Sequence, residues 1–99
     1  MLFMIEARHT AESCPGGIVR PDKEFTAKLD EQMKRSGVEV AGGWLDAPGH
    51  EWYFVIEADD NAALNNAVEP LRLVGDVKIV PVMKFSESVA WAKKIGIQK

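Results

Sequence analysis

The order of apolar and polar residues changes period along the chain, and each change marks an element. Leu2 to Arg8 is predicted to be a strand with apolar residues on both sides, Phe3, Ile5 and Ala7 on one and Leu2 and Met4 on the other. Residues 10 to 20 are rich in turn formers and read as a loop. Pro21 and Asp22 then start a helix to about Ser36: Phe25, Leu29 and Met33 share one stripe, charged residues fill most other positions, and Gly37 offers a stop. Val38 to Leu45 is the second strand, whose Gly42-Gly43 pair predicts a bulge or a close backbone approach. After the turn Ala47-Pro48-Gly49, Glu51 to Ala58 returns as a hairpin partner dense in strand formers. Asp59 or Asp60 caps a second helix carrying Ala63, Leu64, Ala67 and Val68, and Pro70 disturbs its end. Asp76 to Met83 is the fourth strand. Ser86 then caps a short helix in which Val89, Trp91 and Ala92 face inward and Gly96 is the stop.

Two strand-helix-strand halves in this order predict an α+β, ferredoxin-like βαββαβ fold: a four-stranded antiparallel sheet in the order 4-1-3-2, with one further helix at the C-terminal end. No internal repeat, low-complexity stretch or linker interrupts it, so residues 1–99 read as a single domain. Strands one and three are then antiparallel neighbours, and the end of the first lies beside the start of the third. His9 and His50 occupy those positions. Parity groups His9 with Phe3, Ile5 and Ala7, and His50 with Trp52, Phe54 and Ile56; both sets read as the helix-covered side. A register pairing His9 with His50 also sets Arg8 against Glu51 on the opposite face, a favourable cross-strand pair.

The chain holds two histidines and one cysteine, and Cys14 follows His9 in the segment His-Thr-Ala-Glu-Ser-Cys-Pro-Gly-Gly. Convergence of His9, Cys14 and His50 admits three readings. As a metal site, two imidazoles and a thiolate leave a fourth position for water, as a catalytic zinc requires; soft sulfur also admits copper or iron, and Glu12 is an additional oxygen donor. The His-x4-Cys spacing matches no recognised zinc signature. As a metal-free catalytic set, a histidine deprotonates Cys14 or acts as general base on an acidic carbon or hydroxyl of a small substrate, and Arg8 or Arg20 supplies the cation that a low-pKa thiol needs. As structural residues, Cys14 is a small hydrophobe holding the loop down, His50 a turn residue and His9 a partner for loop carbonyls.

Trp44, Trp52 and Phe54, with Tyr53, are candidates for lining a small-molecule pocket, and core packing competes with that role at each. Trp44 ends the second strand at the corner of the histidines, where it would shield a ligand from water. Glu6 and Glu57 read as ion-pair formers rather than as a catalytic carboxylate pair.

The second face of the predicted sheet is unusual. Met4, Tyr53, Val55, Val80 and Val82 give it an apolar centre, rimmed by Glu6, Arg8, Glu51, Glu57, Lys78 and Lys84. An open face is ordinarily polar. A homodimer formed through this sheet face would bury it, and at about 25 cal/mol per Å² even a few hundred Å² contributes several kcal/mol.

Composition narrows the classes without choosing among them. With 46% hydrophobic and 27% charged residues the chain is globular. Its net charge of −3, with scattered Lys and Arg, gives no footprint for nucleic acid, and Lys93, Lys94 and Lys99 read as a solvated helix end. No run approaches the roughly 18 apolar residues of a membrane span, and Glu6 interrupts any secretory h-region, so a cytoplasmic location is expected. A lone cysteine makes no internal disulfide and suits that compartment.

The Met-Leu-Phe-Met-Ile opening strand, the strand beginning Gly49-His50-Glu51, the Asp59-Asp60-Asn61-Ala62-Ala63-Leu64 helix start and the Val80-Pro81-Val82-Met83 strand together resemble the dimeric α/β-barrel superfamily, which includes muconolactone isomerase, the antibiotic-biosynthesis monooxygenases and small families of unknown function. The resemblance implies a small organic ligand between sheet and helices or within the barrel, often without a cofactor. It names no reaction, and the His-Thr-Ala-Glu-Ser-Cys-Pro segment matches no mechanism within it. The expected function is a small-molecule- or metal-binding protein, in one version a small enzyme using His/Cys chemistry. A non-catalytic ligand-binding or sensor module and a purely structural domain are the alternatives.

Overall fold

The structure, a computed structural model, describes residues 1–15 and 22–96. Pro21 as a helix start, Arg20 as a partner for the thiol and Lys99 of the basic cluster fall outside them. The elements run β1 (Leu2–His9), α1 (Phe25–Arg35), β2 (Glu39–Asp46), β3 (Glu51–Glu57), α2 (Asn61–Arg72), β4 (Gly75–Val82) and α3 (Phe85–Ile95). The four strands form one antiparallel sheet in the order β2-β3-β1-β4, the ferredoxin-like arrangement read from the other edge.

Alternation dictates which face is covered. Ile5 and Ala7 from β1 and Ile56 from β3 are buried against Phe25, Leu29 and Met33 of α1 and Leu64, Ala67, Val68 and Leu71 of α2. Each large aliphatic side chain in this layer contributes about 1.5–3 kcal/mol on leaving water. Register follows the same logic: Ile5 stands opposite Phe54 and Ile79, while Arg8 stands opposite Glu51 and Asp76.

Two local expectations change and one is narrowed. The first helix begins at Phe25 rather than at Asp22, because the Asp22 side chain accepts the Glu24 N–H and its carbonyl accepts the Phe25 N–H, a turn that precedes the helix. Asp60 is the cap of α2, accepting the Ala63 N–H at 2.7 Å, and Pro70 sits inside the last turn without ending it. The last helix starts one residue before Ser86, with Lys84 at its cap position, and buries none of its residues: Trp91 and Val89 are exposed, not turned inward.

β2 departs from regular pairing between Val40 and Gly42. This bulge sets the strand's parity, and the two glycines then serve opposite faces. A Cβ on Gly42 would strike the Trp44 indole, and a Cβ on Gly43 would strike the Phe54 ring. Both rings lie flat on the strand because those positions have no side chain. Trp44 pairs with Tyr53 on the face away from the helices. Among the described residues, no helix is long and apolar enough to cross a membrane.

Candidate metal and ligand site

β1 ends at His9, and its backbone N–H donates to the His50 carbonyl at 3.0 Å. That bond is the last rung between β1 and β3 and fixes the two imidazoles side by side, ring centroids 5.1 Å apart and nearly perpendicular. After His9 the chain folds back on itself. Thr10 and Ser13 exchange hydrogen bonds, the Thr10 N–H donating to Ser13 Oγ at 3.0 Å and the Ser13 N–H to Thr10 Oγ1 at 3.2 Å. The tight turn returns Cys14 toward His9, and the Asp22 N–H, donating to the Pro15 carbonyl at 2.7 Å, ties the far side of the loop down. As a result His9, Cys14 and His50 offer one donor atom each, all within 4.8 Å of one another.

His50 closes the four-residue connection between β2 and β3. Its N–H donates to the Ala47 carbonyl, and its φ of 55° lies in the left-handed region. Glycine or asparagine fits such a position without strain, whereas a bulkier L-residue costs about 1–2 kcal/mol. Gly49 next door already occupies a place forced by the Asp46 carboxylate, which accepts its N–H. The turn therefore carries a strained imidazole where folding alone favours something smaller.

His9 is 5% exposed. Among the described residues, neither of its ring nitrogens has a hydrogen-bond partner, nor has Nδ1 of His50. An unpaired buried polar group costs about 1–3 kcal/mol, so three in one cluster call for an account. Burial, and secondarily the neighbouring His50, hold the His9 pKa below the ordinary imidazole value, which favours the neutral form, the one that ligates metals.

The three residues form one wall of a cavity of about 590 Å³, within the range of small-molecule pockets. Trp52 and Phe25 make the floor, stacked at 5.4 Å, and His9 lies 4.4 Å from the Trp52 ring. Leu45, Ala47 and Pro15 add apolar wall, while Asp22, Lys23 and Thr26 at the start of α1 make the rim polar. Of the aromatic residues expected here, Trp52 lines the cavity. Trp44 and Phe54 do not: the bulge in β2 turns Trp44 to the opposite face, and Phe54 packs along Gly43 and the core. Glu12 is exposed and outside the donor group, and Arg8 points from the other face, where it pairs with Glu51. Thr10, Ser13, Asp22 and Leu45 are additions that sequence reasoning missed; the Thr-x-x-Ser spacing was the available signal for the first two.

A second concavity, about 360 Å³, lies across the sheet between Glu6, Arg8, Glu51, Asp76, Val77 and Lys78. Its groups answer one another. Arg8 Nε donates to Glu51 at 2.8 Å, the Tyr53 hydroxyl donates to the other oxygen of that carboxylate, and Lys78 faces Glu6 at 3.8 Å. The Tyr53 hydroxyl, followed by Arg8, holds the Glu51 pKa below the usual carboxylate range.

Comparison with known proteins adds a family and no activity. No curated protein matches the chain. The resemblance to muconolactone isomerase and the antibiotic-biosynthesis monooxygenases thus has no support from sequence matches, and none of their chemistry is carried over. The family described as Domain of unknown function (DUF3303) matches residues 1–96, nearly the whole chain. With its small α+β fold and its His-Cys-His corner, this protein belongs to that family.

Proposed function

We propose that His9, Cys14 and His50 hold a transition metal, zinc by donor set, and that the ion presents an open coordination position to a small organic molecule in the adjoining cavity. The observation that carries this reading is the convergence of a thiol and two imidazoles within 4.8 Å, three of whose nitrogens are buried and have no partner among the described residues. Zinc bonds of about 2.0–2.3 Å require these donors to draw in by roughly 1 Å, which side-chain rotation supplies. Two neutral nitrogens and one thiolate leave a single positive charge on a zinc complex, suited to an anionic or polarisable donor. Bound there, the ion supplies Lewis-acid activation of water or of a ligand oxygen. The protein's own part is separate: Trp52, Phe25 and Leu45 exclude water from the apolar end of the guest, and the left-handed His50 fixes the approach of its ring.

A metal-free binding or sensor role is the second reading, favoured by the largely apolar cavity wall. Cobalt titration separates the two. Stoichiometric Co(II) with a thiolate charge-transfer band, lost in Cys14→Ser, supports the metal reading. Absence of any bound ion at micromolar concentrations defeats it, and ligand-dependent stabilisation of the apo protein would then favour the second.

A further inference from the structure

We infer that α3 is an arm, and that its apolar stripe packs on the outer sheet face of a second copy of this chain, each copy clasping the other. The first observation is that α3 is amphipathic and bare. At 100° per residue Phe85, Val89, Ala92, Ile95 and Trp91 share one side, and Lys93, Lys94 and Glu87 lie on the other. Phe85 is 85% exposed and, among the described residues, the helix buries nothing and makes no extended contact with any other element. The molecule is correspondingly drawn out, 55 × 28 × 17 Å with a radius of gyration of 16.0 Å, against about 13 Å for a compact domain of this length.

The second observation is a matching surface. Both packed helices lie on one side of the sheet, so Leu2, Met4, Val55, Val80 and Val82 form an apolar strip on the other, continued by the exposed Trp44 indole. Charge agrees. Around that strip Glu6, Glu39, Asp46, Glu51, Glu57 and Asp76 outnumber Arg8 and Lys78, whereas α3 and its cap carry Lys84, Lys93 and Lys94 against Glu87.

Area selects reciprocal exchange over faces alone. Strands of 7–8 residues, four abreast, present on the order of 500 Å². A standard interface takes about 800 Å² from each partner. A helix of 11 residues, about 16 Å long and 10 Å wide, supplies about half of the difference. Twofold symmetry then engages both bare surfaces of both copies at once, in an assembly that closes on itself.

The test is light scattering of the full chain between about 1 and 100 μM, with circular dichroism as the control for folding. The wild type is expected at twice the chain mass. Val89→Lys on α3 and Met4→Lys on the sheet, both at exposed positions, each raise the dissociation constant at least about 100-fold. Mixing these two variants restores part of the dimer, because one arm and one face remain intact in the mixed pair and in neither parent. A wild type that stays monomeric overturns the inference, whether α3 folds back on its own sheet or binds anionic phosphatidylserine vesicles. A dimer indifferent to Val89→Lys, or a mixture without rescue, overturns it as well.

Discussion

The same few residues of β1 and β3 build two unlike neighbourhoods on the two sides of one sheet. On the outer side Arg8, Glu51 and Tyr53 are ionised or polar, solvent-facing and mutually bonded. On the inner side His9, His50 and Trp52 alternate with them along the chain, and there three of the four imidazole nitrogens are buried without partners among the described residues. The contrast shows how to weigh clusters of titratable residues. Exposed groups that satisfy one another have no need of a guest, and their pKa values move as ion pairs dictate. Buried donors left open by their own fold retain binding capacity that only an outside group uses.

Four measurements sharpen or break that contrast. The largest effect is expected from Cys14→Ser and from His9→Ala: zinc affinity, measured against a chromophoric chelator, falls by at least about 10³-fold, while Arg8→Ala on the outer side leaves it unchanged. Equal losses on both sides would erase the distinction. Next, Trp52→Ala removes the ring that stacks between His9 and Phe25 and is expected to lower unfolding free energy by about 2–4 kcal/mol in urea.

Third, the His9 pKa is lowered on folding, so below about 6.5 the unfolded chain takes up a proton that the folded ring resists. Stability of the metal-free protein therefore falls as the pH drops from about 6.5 toward the lower folded value, with the full contribution present above. His9→Gln flattens that slope; a slope retained in the variant assigns it elsewhere. Last, and smallest in its effect on stability, His50→Gly exchanges the strain of a left-handed histidine for glycine's freedom in the unfolded chain. Metal-free stability is expected to stay within about 1 kcal/mol of wild type while zinc binding is lost.

Much of this was legible from residue order. Period-two alternation in β1 and β3 placed Arg8 against Glu51, and antiparallel adjacency then brought His9 to His50. The return of Cys14 was legible only as proximity in sequence; what secures it is the Thr10–Ser13 exchange and the Pro15–Asp22 bond, which no periodicity encodes. Trp44 was misplaced for a specific reason. One extra residue between Val40 and Gly42 reverses parity along β2, so a side chain at the histidine corner faces the other way. Part of the stripe on α3, Val89, Trp91 and Ala92, was visible too, but amphipathicity says that a helix wants cover and not where the cover lies.

The irregularity in β2 has an effect beyond its tryptophan. Among the described residues both margins of the sheet are open, β2 on one side and β4 on the other, and an open margin is an invitation to indefinite strand-on-strand stacking. On β2 the extra residue interrupts the row of free amides and carbonyls; on β4 Pro81 withholds a donor. Fibril-like growth through the margins is thereby discouraged, and the twofold pairing proposed above, made through the broad surfaces, would terminate itself.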